Sequence, residues 1–128
     1  MNIFVTNARS LQPKIESLVT AFEELELHVA VVTESWLKPG QKLLREIAEY
    51  ENGPGISVIH KSRETRRGRN AGGGVAILFN KDKIRLAERK IRRGNNEIVC
   101  VIGKITGMSR HLAIIGAYIP PPDKSEEN

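Results

Sequence analysis

Ile3-Phe4-Val5-Thr6-Asn7 and Val29-Ala30-Val31-Val32-Thr33-Glu34, joined by one amphipathic segment, decide the fold of this chain. The first run reads as a strand over Ile3–Thr6 that stops at Asn7. The second reads as a strand over Val29–Thr33 that stops at Glu34. Between them Ile15, Leu18, Val19, Phe22 and Leu25 recur at helical spacing, which predicts a helix with one buried stripe. Ser10 is the expected N-cap, and Pro13 falls in the first turn, where its missing N–H is tolerated. Strand, crossover helix and strand pair in parallel with a right-handed connection. Both strand ends then meet at one rim, where open α/β sheets place their ligands. An amide oxygen and a carboxylate are thereby expected side by side.

The rest of the chain extends the sheet. Lys38-Pro39-Gly40 reads as a turn, and Gln41 to Glu49 as a short helix burying Leu43, Leu44 and Ile47. Gly53-Pro54-Gly55 breaks the chain before a strand at Ile56–Ile59. Lys61 to Asn70 is polar and reads as a loop. Gly72-Gly73-Gly74 leads into a strand at Val75–Phe79, so these glycines make a turn; a phosphate loop would follow a strand and open a helix. Further strands are expected around Ile84–Ile91, Glu97–Ile105 and Leu112–Ile119. Residues 1–122 form the domain portion and 123–128 a charged tail.

Val75–Phe79, Ile98–Ile102 and Leu112–Ile119 are apolar on both alternating faces, unlike a half-exposed antiparallel strand. They call for cover on two sides. About two helices are on offer, enough for one face of the sheet. A further layer, from more chain or from a partner, is therefore expected, because a bare apolar face exceeds what monomers normally show.

Composition bounds the chemistry. The 128 residues suffice for one domain or part of one, and the 40% hydrophobic and 27% charged shares suit a globular protein. No run is apolar enough to span a membrane, and no secretory leader is expected, since the first residues enter a strand without a basic segment or long apolar stretch. Cys100 is the single cysteine, so there is no internal disulfide and no thiolate zinc site; it is expected as a small buried core residue in a reducing, intracellular setting. The net charge of +5 favours a polyanionic partner.

Glu34 and Asn7 offer hard oxygen ligands suited to Mg²⁺, which takes one or two carboxylates and keeps several waters. A solvated loop glutamate and an Asx turn are the plainer alternatives. Tyr118 is expected to end the last strand at the same rim, as a phenol facing an anionic oxygen or as a packing aromatic. Lys61, Arg63, Arg66, Arg67 and Arg69 form a basic loop, and Lys81 to Arg93 a second basic region. Either is solvated surface or a contact for nucleic-acid phosphates. Aromatics are too few for a base-stacking platform. His28, His60 and His111 lack ligand spacing, and Trp36 is expected to pack beneath the Glu34 loop.

Asn7-Ala8-Arg9-Ser10-Leu11, Thr33-Glu34-Ser35-Trp36-Leu37, Gly72-Gly73-Gly74-Val75-Ala76 and Tyr118-Ile119-Pro120-Pro121 occur as an ordered set. The set resembles the endonuclease/exonuclease/phosphatase superfamily, and more closely the apurinic/apyrimidinic-type endonuclease domain of non-long-terminal-repeat retrotransposons. That resemblance spans Asn2 to Pro122. It implies an α/β (α+β) fold: the first half of a four-layer sandwich, with a mixed sheet carrying helices on one face. It also implies Mg²⁺-dependent, or Mn²⁺-dependent, cleavage of DNA phosphodiester bonds, in the nucleus, with a nick whose 3′-hydroxyl primes reverse transcription. Glu34 matches the metal-binding glutamate, Asn7 the asparagine that orients it and the phosphate, and Tyr118 the tyrosine at the scissile phosphate; Arg9 joins the basic loop as a DNA contact. Thr33 replaces a glutamine of exonuclease III-like members. The later Asp-x-Asn and Ser-Asp-His blocks are absent, and losing a general base alone costs about 10²–10⁴ in rate. The chain is therefore expected to be an N-terminal portion, inactive alone and completed by a C-terminal half. A non-catalytic nucleic-acid-binding remnant and a phosphatase of the same fold are the alternatives.

Overall fold

The described residues form seven strands and one α-helix. A computed structural model describes residues 1–37, 55–62, 73–92 and 97–119. Strand β1 (Ile3–Asn7) leads through a 3₁₀ turn (Gln12–Lys14) into helix α1 (Ile15–Glu24) and then β2 (Val29–Thr33). Next come β3 (Ile56–Lys61), β4 (Val75–Asn80), β5 (Ile84–Arg92), β6 (Glu97–Ile105) and β7 (His111–Tyr118). The helix expected at Gln41–Glu49, the Lys38-Pro39-Gly40 turn, most of the basic loop and the tail lie outside the described residues.

The strands form two sheets. The first is four-stranded and mixed, in the order β1-β2-β4-β3; the second is three-stranded and antiparallel, in the order β5-β6-β7. The predicted β1–α1–β2 unit is present, with Ile3 opposite Val29 through to Asn7 opposite Thr33 in parallel register.

Alternation along β2, β4 and β3 produces two cores. Ala30, Val32, Ala76, Leu78 and Ile56 face α1 and pack with Ile15, Leu18 and Phe22. Val29, Val31, Ile59, Val75, Ile77 and Phe79 face the second sheet and pack with Ile84, Val99, Val101 and Ile114. Val75–Phe79 thus has its cover from this chain itself, a helix on one side and a sheet on the other. Gly116 permits the sheets to approach: a Cβ there would lie 2.9 Å from Val75 Cγ1 and 3.1 Å from Val31 Cγ1.

Among the described residues, the second sheet is covered on one face only. Its outer surface, built from Ile98, Cys100, Ile102, Ala113, Ile115 and Ala117 by register, leaves Ile115 64% exposed. Val5, on the inter-sheet side of β1, is 70% exposed because β7 lies over β2 and β4 instead.

Several expectations are corrected. Ser10 does not cap the helix: no side-chain cap bond is made, and its N–H donates to the Glu34 carbonyl. The helix ends at Glu24, so Leu25 leaves the stripe and is exposed, and Leu27 is buried in its place. Cys100 is half-buried, because it alternates with Val99 and Val101 onto the outer face. Lys61 is not a loop residue; it closes β3.

Candidate active-site rim

The rim is built by backbone bonds that continue past the strand ends. The Ala8 N–H donates to the Thr33 carbonyl, Ser10 N–H to Glu34 and Leu11 N–H to Ser35, each at 2.9 Å. On the other side, Ser35 N–H donates to Gly74 at 3.2 Å and Trp36 N–H to Gly73 at 2.9 Å. Glu34 is therefore held between residues 8–11 and the glycine pair. Asn7 is exposed at the end of β1 and Glu34 half-buried one residue beyond its register partner Thr33.

Conformation singles out the same stretch. Arg9, Ser10, Glu34 and Trp36 have φ of 46°, 87°, 50° and 55°. Among the described non-glycine residues only Glu26 shares that left-handed region. Each such residue costs about 1–3 kcal/mol and is retained where its surroundings impose it, commonly at functional sites. Trp36 is exposed rather than packed under the loop.

The glycines have a steric cause. At Gly74, with φ of 88°, a Cβ would sit 2.8 Å from Ser35 Oγ and 3.3 Å from the Lys61 carbonyl oxygen. The turn anticipated at Gly72–Gly74 is thus, at Gly73 and Gly74, a platform on which the Glu34 loop rests; Gly72 lies outside the described residues.

The second sheet contributes its own end. Val75 pairs with both Thr33 and Lys61, so the start of β4 and the end of β3 lie at the rim. Gly116 sits over Val75, and β7 runs two residues further to Tyr118, opposite Glu97. Gly103 and Leu112 lie at the other end, beside Ile84 and Arg85. Asn7, Glu34 and Tyr118 are accordingly at one end of the sandwich. Tyr118 packs against the inter-sheet core and is half-buried.

The burial of two charged residues at that end, Lys61 of the expected basic loop and Glu97, escaped the sequence reading. Lys61 is only 8% exposed and Glu97 only 2%. Each continues an inward-facing series, Lys61 after Ile59 and Glu97 before Val99 and Val101. The signal was available in Glu97-Ile98-Val99-Cys100-Val101, where a charge opens an apolar strand opposite a tyrosine. Arg9 is exposed on the loop zipped to Glu34. Arg63, Arg66, Arg67 and Arg69 lie outside the described residues.

His28 Nδ1 accepts from the Asn2 N–H at 3.1 Å, His111 is exposed, and burial holds the His60 imidazole below its ordinary value. Among the described residues no group of three or more His, Cys, Asp or Glu converges on one point. Glu34 with the Asn7 amide suits a hard cation that keeps most of its water, as part of a site rather than a complete cage.

No family model and no curated sequence matches the chain. Solved structures do. The catalytic domain of human Nocturnin, with bound sulfate, is 12% identical with a TM-score of 0.64, over 97% of this chain and 51% of that one. ANGEL2, a 2′,3′-cyclic phosphatase in complex with adenosine-2′,3′-vanadate, is 13% identical with a TM-score of 0.59, over 88% and 35%. Humanized D. rerio TDP2 is 12% identical with a TM-score of 0.58, over 98% and 52%. The chain spans about half the length of Nocturnin and TDP2 and about a third of ANGEL2. No helix among the described residues is long and apolar enough to cross a membrane. The sandwich is the one shared by endonuclease/exonuclease/phosphatase-fold proteins.

Proposed function

We propose that this chain is the N-terminal portion of a Mg²⁺-dependent phosphodiester hydrolase, a DNA endonuclease of the retrotransposon type. The observation that carries the reading is that Asn7 and Tyr118, at strand ends, and Glu34, on a loop held in left-handed conformation, lie at one end of the sandwich. When bound there, the cation would polarise the phosphate and stabilise the leaving oxygen. Glu34 would ligate it, the Asn7 amide would orient that carboxylate and the phosphate, and the Tyr118 phenol would hold a phosphate oxygen. Arg9 and the basic loop would hold the DNA backbone, in the nucleus. A C-terminal half, absent from these residues, would supply the aspartate and histidine that activate water and would cover the outer face of the second sheet.

A phosphatase with the same fold fits the structural neighbours equally well, since ANGEL2 is described as a cyclic phosphatase. The Thr33-Glu34-Ser35-Trp36-Leu37 block favours the endonuclease. A metal-free, nucleic-acid-binding remnant is the reading that Glu34 opposes.

Paramagnetic Mn²⁺ is the direct test. It should broaden the amide resonances of Ala8, Glu34, Ser35 and Gly74, with reversal by excess Mg²⁺ and loss of the effect in Glu34→Gln. Broadening elsewhere, or unchanged in Glu34→Gln, rejects the metal site. The purified chain should not nick supercoiled plasmid; Mg²⁺-dependent nicking abolished by Glu34→Gln would show that no second half is required. Asp-x-Asn and Ser-Asp-His blocks downstream of Asn128 in the coding sequence, followed by a polymerase, would favour the endonuclease over the phosphatase.

A further inference from the structure

Trp36, the single tryptophan of the chain, is 42% exposed in a loop whose neighbouring residues are firmly held. Its own N–H donates to the Gly73 carbonyl at 2.9 Å. Ser35 before it and Leu37 after it are buried, and Ser62 Oγ donates to the Leu37 carbonyl at 2.6 Å. With φ of 55°, Trp36 lies in the left-handed region that strains any L-residue. Burial of the ring would offset that strain, yet Trp36 stands outside both cores. The bonds on either side impose the conformation. Their effect is a large flat ring held in solvent at a fixed place.

The surroundings decide what the ring receives. Glu34 is two residues away, so the two Cα atoms lie within about 7 Å. Arg9 is exposed on the segment whose Ser10 N–H bonds to the Glu34 carbonyl. Ala8 and Leu11 of that segment, and Val75 beyond the glycine pair, are buried, so none of them widens the ring into an apolar patch. A docked protein anchors through aromatics at the centre of such a patch. A lone aromatic between a carboxylate and a guanidinium suits a nucleobase, which has a π-face and arrives joined to phosphate.

We infer that Trp36 stacks on one unpaired nucleobase of a nucleic-acid strand whose phosphate lies at Glu34. A phosphate held there brings one of its flanking bases to the indole. One ring serves one base, unlike a platform of several rings. Inside a duplex the faces of a base are covered, so the partner is a base out of the stack. The place of the phosphate rests on the phosphodiester-hydrolase reading; the stacking itself is measured without a metal.

Because no other tryptophan is present, its emission reports the contact directly. The full 128-residue chain is titrated in EDTA with a short single-stranded DNA oligonucleotide, and then with the same strand built of abasic sites. The oligonucleotide should quench Trp36 emission in step with binding, which is followed separately by anisotropy of a labelled strand. The abasic strand should bind more weakly and leave the emission nearly unchanged. Trp36→Leu keeps apolar bulk without a π-face and should weaken oligonucleotide binding about tenfold, whereas Trp36→Phe should recover most of it. Absence of binding, binding without quenching, or equal quenching by the abasic strand overturns the assignment. So does Trp36→Leu binding as tightly as Trp36→Phe, which would make residue 36 a plain apolar contact. Should both variants misfold, the two titrations of the unaltered chain decide. Mn²⁺ broadening around Glu34 without quenching rejects the base contact alone, and quenching without broadening rejects the metal alone.

Discussion

The Ser35 N–H donates to the Gly74 carbonyl at 3.2 Å, and a Cβ at Gly74 would stand 2.8 Å from Ser35 Oγ. The loop bearing Glu34 therefore rests on bare backbone. Gly74→Ala combines a steric clash with φ of 88° and should cost at least about 1–3 kcal/mol, read by urea unfolding. Resonances of Ser35 and Trp36 should move most, since those residues bond to the displaced segment.

Glu34 itself is strained, and the strain is separable from its carboxylate. Left-handed backbone costs an L-residue roughly 1–2 kcal/mol that glycine avoids. Glu34→Gly should therefore be about 1 kcal/mol more stable than Glu34→Ala. Both should lose Mn²⁺ binding equally. Equal stabilities in thermal melts would show that φ at residue 34 relaxes in solution.

Gly116 sets the distance between the sheets. Gly116→Val places methyl groups against Val75 and Val31, already 2.9 and 3.1 Å from a bare Cβ. Overpacking of this kind costs about 1–3 kcal/mol. Guanidinium unfolding with an unchanged m-value would locate the loss in the native state.

Helix α1 separates stripe from surface. Leu18 is buried against the first core, and Leu18→Ala should cost about 2–5 kcal/mol. Leu25 is 56% exposed beyond the helix end, and Leu25→Ala should change stability by less than about 0.5 kcal/mol.

His60 makes stability depend on pH. Burial lowers its folded pKa below the ordinary 6.5, so the unfolded chain binds the extra proton more readily. Its contribution is complete above 6.5, declines as pH falls from there to the folded pKa, and is level below that. His28 acts in the same direction, through burial, Lys83 and the N-terminal amine. His60→Leu should flatten the slope of unfolding free energy between pH 7 and 5; an unaltered slope would assign the dependence elsewhere.

The Asn7–Glu34 rim was legible because it depends on local facts: two apolar runs, one helical repeat, and the handedness of a crossover. Periodicity set the strands to within a residue or two at their ends. The two-sided apolar character of Val75–Phe79 called for a further layer, but that layer comes from this chain's own β5, β6 and β7 rather than from more chain or a partner. Leu25 and Ser10 were misread because helix termination is decided by the chain's route afterwards, here the Glu34 carbonyl that takes the Ser10 N–H.

Order along the chain thus dictated which residues form strands and which two meet at a parallel edge, since both follow from side-chain period and backbone chirality. Which sheet lies over which, and hence that Lys61 and Glu97 turn inward at the Tyr118 end while Arg85, Lys104 and His111 line up outside, came from tertiary packing alone. Those pairings join residues 7 to 21 positions apart in the chain, and cross-strand register, which sets them, leaves no periodic mark in any single segment.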